Sequence, residues 1–221
     1  MTREAYHKAL RELEADLMQM SSMAGAALKD AMQALAKRDI ETSKRIVRND
    51  VLINRKRFEI EEKCILLIAT QQPMAVDLRV LTSIINVITD IERIGDHAEG
   101  IAKISVSIGD APLVKPLIDM PRMADMAGSM LKRCMEAFIA RDVEAAKKIC
   151  NEDDDVDALY DAIYNELVMM MVRDPKIIKD ATYLIWGAHN LERIADRVTN
   201  IAERVVYMVT GKMEEMNVSK Y

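Results

Sequence analysis

The chain has 221 residues, with 31 Lys and Arg against 36 Asp and Glu; its net charge of -5 is mixed along every segment, which excludes a basic stripe for nucleic acid and simple adhesion to an anionic membrane. Seven Gly, five Pro and 17 Met, with no uncharged apolar run near the roughly eighteen residues of a membrane span, describe an all-α protein with no direct membrane insertion. Cys64, Cys134 and Cys150 are scattered and lack a C-x-x-C pair, so no disulfide framework or zinc knuckle follows; Arg3, Glu4 and His7 leave no apolar signal-peptide centre, and the expected location is cytoplasmic.

From Leu10 the apolar residues step by three and four through Leu13, Leu17, Met20, Ala24, Ala27 and Ala31, which predicts a long first helix closing at Lys37-Arg38-Asp39. Asp39 is placed to cap the second helix, whose seam runs through Ile46, Ile53, Ile60, Cys64 and Leu67 to Gln71-Gln72-Pro73. The third starts around Ala75, keeps step through Leu81, Ile84, Ile88, Ile91, Gly95, Ala98 and Ala102, and reaches Ile108. Prolines then cluster at Pro112, Pro116 and Pro121, marking a linker.

Beyond it the pattern restarts. Met120, Met123, Ala127, Met130, Cys134 and Ala137 form the fourth helix, and Arg141-Asp142-Val143-Glu144 echoes Arg38-Asp39-Ile40-Glu41. The fifth runs through Ile149, Val156, Tyr160, Ile163, Leu167 and Met170 until Asp174-Pro175, and the sixth through Ala181, Leu184, Ala188, Leu191, Ala195, Val198, Ala202 and Val205 to Gly211. The expected architecture is six long helices in two tandem three-helix bundles related by internal repeat: residues 1–110, a linker at 111–119, and residues 120–221.

The echo is strongest in the third and sixth helices, where Asp90 to Lys103 and Asn190 to Glu203 agree at six of 14 positions. Glu92 and Asp96, like Glu192 and Asp196, lie four residues apart and so share one helix stripe. Asp50 and Asp153 interrupt the seams of the second and fifth helices and are followed four residues later by Asn54 and Asp157. A carboxylate near a core costs several kcal/mol unless something compensates it. If neighbouring helices bring these pairs together, a cation relieves their repulsion, and all-oxygen ligation suits magnesium, manganese or ferric iron better than zinc. His189 shares the stripe of Glu192 and could add a ligand, whereas His97 faces elsewhere. Arg93 and Arg193 could also neutralise the acids with no ion at all.

Glu92-Arg93-Ile94-Gly95-Asp96-His97-Ala98 and Leu191-Glu192-Arg193-Ile194-Ala195-Asp196, with Asn200-Ile201-Ala202-Glu203 after the second, resemble the signature helices of the PhoU family. The likeness covers nearly the whole chain. It implies a cytoplasmic, usually homodimeric regulator that carries multinuclear metal clusters and lowers phosphate uptake. The implied partners are the ATPase subunit of a phosphate ABC transporter and, where present, a phosphate-sensing histidine kinase. Carried over, the implied metal ligands are Glu92 with Asp96, Glu192 with Asp196, Asp153 with Asp157, and Asp50 with Asn54, where the pattern expects Asp. Asn200 and Glu203 extend the second set, while Gly100 and Lys103 replace them in the first, so the first repeat is expected to hold fewer ions or hold them more weakly.

Two other readings stay open at this point. A di-metal carboxylate oxidase would present Glu-x-x-His on two inward helices, but here the order is His189-x-x-Glu192 and it occurs once. A metal-free helical scaffold is the other. The chain has no Ser/His/Asp arrangement, Gly-rich phosphate loop or nucleotide motif to make it an enzyme of group transfer.

Overall fold

Apolar seams spaced three and four residues apart become helices wherever a cap or a proline does not stop them. In the computed structural model, residues 3–216 are described, so the outermost ends of the two expected units lie outside the described residues. The elements are α1 (Arg3–Lys37), α2 (Ile40–Gln71), α3 (Val76–Ile108), α4 (Asp119–Ala140), α5 (Val143–Asn151), α6 (Asp153–Arg173) and α7 (Ile178–Thr210). A single 3₁₀ turn, Pro175–Ile177, precedes α7. No helix among the described residues is long and apolar enough to cross a membrane.

The caps act in matched pairs. Asp39 accepts from the Thr42 amide and Asp142 from the Ala145 amide, each at 3.0 Å. Arg38 and Arg141, the residues before them, adopt left-handed φ values of 57° and 59° and so reverse the chain between antiparallel helices. α1 starts seven residues before its predicted seam, because Tyr6 is buried and its hydroxyl reaches the Asp77 carbonyl at 3.4 Å.

The fifth predicted helix is jointed at Glu152 into α5 and α6. Glu152 is held by both terminal nitrogens of Arg133 on α4. The Asp153-Asp154-Asp155 run then sits in the first turn of α6, where acids favour a new helix N-terminus. Neither cause lies in the apolar period.

α1, α2 and α3 pack into one bundle, and α4, α5, α6 and α7 into the other. Fully buried Leu17, Met20, Ile60, Ile84, Ile88 and Ile91 line the first core, each contributing roughly 1.5–3 kcal/mol by burial. The bundles join through α3 against α7 and α1 against α4. α3 and α7 run antiparallel, since Arg79 Nε lies 3.4 Å from the Met208 carbonyl while Asn200 Nδ2 donates to Asp90 Oδ1 at 3.3 Å. The junction has its own approximate two-fold: Asp90 meets Asn200 and Arg197, and the equivalent Asn190 meets His97 and Gly100. Gly100 lets Asn190 lie close, since a Cβ there would stand 2.9 Å from Asn190 Oδ1 and the amide would have to shift.

Candidate functional site

Placing α2 beside α3 and α6 beside α7 brings the acid pairs of each repeat toward one another. In the first repeat, burial raises the Asp50 carboxyl above its ordinary range, and Glu99, Asp96 and Glu92 on α3 reinforce the shift. Asn54 Nδ2 donates to Asp50 Oδ2 at 3.0 Å. Asp50 Oδ1 and Asn54 Oδ1 remain buried with no hydrogen-bond donor. Gly95 allows this approach, since a Cβ there would come within 2.9 Å of Ile53 Cδ1 and 3.4 Å of Asp50 Oδ1.

Cationic side chains already attend the α3 pair. Arg57 Nη1 lies 3.7 Å from Glu92 Oε1, and Arg93 Nη1 donates to Asp96 Oδ2 at 2.9 Å. Such partly exposed pairs contribute little each, but they set the local charge balance. Glu99 escaped the sequence reading although it stands seven residues after Glu92 on the same side. Its equivalent in the second repeat is the buried Thr199, so the first repeat has gained an acid at Glu99 where it lost one at Asn54. Glu99 is held by Lys103 Nζ at 2.6 Å.

The acids of the second repeat are Asp153, Asp157, Glu192 and Asp196. Asp153 is fully buried at the start of α6. Burial raises the Asp157 carboxyl, and Asp196 beside it adds to the effect. Burial likewise pushes Glu192 from 4.5 up to about 7, with Asp196 reinforcing the shift and Arg193 opposing it. Arg193 holds Asp196. His189 Nδ1 is 3.3 Å from Glu192 Oε2 but too poorly aimed to be its hydrogen-bond partner.

The remaining predicted residues look elsewhere. Asn200 is committed to Asp90 across the bundle junction, and Glu203 accepts the Met216 amide at 2.9 Å. His97 Nδ1 stands 2.9 Å from Asn190 Oδ1, so it belongs to the junction and not to the Asp96 stripe.

The donors suit a hard cation: carboxylate and amide oxygens, of which Asp50 Oδ1, Asn54 Oδ1 and Glu192 Oε2 are buried without hydrogen-bond partners, and acids whose charge is opposed by burial and by one another. They approach in pairs, and among the described residues no group of three His, Cys, Asp or Glu stands close enough to enclose an ion.

The pH behaviour of the ion-free chain follows from Glu192. Its carboxyl keeps a proton in the folded state that the unfolded chain releases near pH 4.5. The stability it contributes is therefore complete below about pH 4.5 and lost as pH rises through about 7. Thermal melts of chelator-treated protein should show Tm falling across that window, and Glu192→Gln should flatten the slope.

Two three-helix bundles joined by an antiparallel helix pair, each with a stripe of paired acids, define a class of duplicated helical proteins with carboxylate faces. The PhoU domain matches residues 17–105 and 120–205, one match per bundle. A Clostridium acetobutylicum protein named a phosphate-specific transport system accessory protein PhoU homolog is 38% identical, covering 98% of this chain and 100% of that one. The Rhizobium meliloti protein of the same name is 32% identical over 94% of this chain and 88% of its own. The crystal structure of PhoU from Pseudomonas aeruginosa superposes with a TM-score of 0.89 at 30% identity, covering 94% of this chain and 100% of that one. The phosphate transport system regulatory protein PhoU from Streptococcus pneumoniae gives the same TM-score at 31% identity, covering 95% of this chain and 99% of its own. The chain belongs to the PhoU family.

Proposed function

We propose that this chain is an accessory regulator of a phosphate-specific transport system that acts by docking, not by catalysis. The observation that carries the reading is end-to-end similarity to proteins bearing that name, at 38% identity over 98% of the chain in one case. The direct partner is the ATPase subunit of a phosphate ABC transporter, with a phosphate-sensing histidine kinase as a second target where one exists. The protein works in the cytoplasm as a homodimer, lowering uptake when phosphate is plentiful.

Hard cations, magnesium, manganese or iron, complete the surface. Glu192, Asp196 and Asp157, with Asp153 at the head of α6, hold the second repeat's ions. Glu92, Asp96 and Asp50, with Asn54, hold the first's. A bound cation neutralises crowded acids and so locks neighbouring helices in one arrangement. The residues themselves set the site: Gly95 admits α2, Arg57 and Arg93 limit the residual charge of the first repeat, and Arg193 positions Asp196.

Co-purification with the transporter ATPase tests the reading. Tagged transporter should retain the wild-type chain at high phosphate and lose it when Glu92 and Asp96 are both changed to Ala. A metal-stripped protein that still bound at full strength would take the ions out of the mechanism. An unretained wild-type chain would remove the docking role itself.

A further inference from the structure

The two repeats differ sharply on the outward face of their second helices. On α2, Val51, Leu52, Phe58, Ile65 and Leu66 are all exposed, Phe58 by 60% and Leu66 by 61%. The corresponding positions of α6, 103 residues on, are Asp154, Asp155, Asp161, Val168 and Met169. Both helices bury their opposite faces in the same kind of bundle, so the fold does not demand apolar residues here. Scattered surface hydrophobics need no explanation, but these five share one helix face, with Arg55, Glu59 and Glu62 between them, and Val51, Phe58 and Ile65 recur at seven-residue intervals.

The charges on this face are ordered too. Arg55 lies before Phe58 and Glu62 after it; both are exposed, and neither makes an ion pair among the described residues. A parallel self-pairing would set Arg against Arg and Glu against Glu. An antiparallel one sets opposite charges together.

We propose that the outer face of α2 binds a second copy of the chain, helix against antiparallel helix, about a two-fold axis passing between Phe58 and Glu59. In that register Val51 faces the partner's Leu66, Leu52 faces the partner's Ile65, Arg55 faces the partner's Glu62, and at the axis Phe58 lies beside the partner's Phe58 and the partner's Glu59, each contact occurring twice as an isologous interface requires. The same register on α6 would set three acids against apolar residues, Asp154 against Met169, Asp155 against Val168 and Asp161 against Ala162, where α2 sets only Glu59 so, and α6 therefore does not self-pair. Glu59 and Glu62 within the stripe also turn an anionic lipid surface away. The inference deepens the homodimer reading above and rests on it, naming the face involved.

Sedimentation velocity of the full chain, over about a hundredfold range of concentration, tests it. The wild type should sediment as a dimer, and Phe58→Asp, which copies Asp161, should weaken association by at least about 30-fold with helical content unchanged. Arg55→Glu and Glu62→Arg should each weaken it, and the double change should restore it, because the swapped charges again face opposites. Phe58→Cys should cross-link to its own copy under mild oxidation, since the three native cysteines are buried. A wild-type chain that stays monomeric overturns both the interface and the homodimer. A dimer indifferent to Phe58→Asp and to the charge changes keeps the homodimer but overturns this face; vesicle binding lost in Phe58→Asp, with no dimer, assigns the face to lipid and overturns the proposal.

Discussion

Manganese is expected to stabilise the second bundle, and replacing Glu192 and Asp196 together by Ala is expected to abolish that effect. A cation at about 100 times its Kd adds roughly 2.7 kcal/mol to a fold that binds it only when native. For a chain of this size that is a rise in Tm of about 5–11 °C. The wild type should show the rise and the double variant should not, with metal content of desalted protein falling in parallel. The effect is expected to exceed that of changing Glu92 and Asp96, where Arg57, whose counterpart in the second repeat is Tyr160, already supplies positive charge. Equal shifts in wild type and variant would place the cation elsewhere.

The second large effect concerns the bundle junction. Arg197 Nη1 lies 3.6 Å from Asp90 Oδ1, with the two side chains 28% and 14% exposed. Burial holds the Asp90 carboxyl above its ordinary range, opposed by the Asn200 hydrogen bond and by Arg197 and Arg204. Arg197→Met leaves a largely buried carboxylate with Asn200 as its remaining neutral partner. Complete burial would make such a loss worth 3–5 kcal/mol, and partial exposure reduces it to about 2 kcal/mol, or a drop in Tm of about 4–8 °C.

The sign with pH follows from the raised Asp90 value. Protonated Asp90 needs no cation, so the penalty should be small near pH 4 and grow as pH rises toward 8. Asp90→Asn in the Arg197→Met background should recover most of the loss, because Asn190 already holds the equivalent position beside His97. Chemical denaturation at pH 4.5 and pH 8 measures both. A penalty independent of pH would mean that Arg197 acts through packing alone.

The residues most legible in the sequence were those whose effect is local. Asp39 and Asp142 cap because a side-chain oxygen reaches an amide three residues on, whatever the rest of the chain does. Asp50 and Asp153 stood out because each interrupts an apolar seam, and Asp153 is indeed fully buried. The joint at Glu152 was not legible, because Arg133, which grips Glu152 from α4, lies 19 residues earlier and shares no period with it. Glu99 was passed over because its relation to Asp50 runs between helices.

The sequence by itself determined the helices, their caps, the duplication and which residues carry the acid stripes, because helix formation and periodicity depend on neighbours within a turn or two. Tertiary structure alone decided which side chains those stripes meet. It turned Asn200 and His97 into the junction between bundles, set Arg57 beside Glu92, and buried Asp157 and Glu192 beside Asp196, which raises both. Such meetings depend on how far apart two helices pack and at what angle, and that is settled by core side chains distant in the chain.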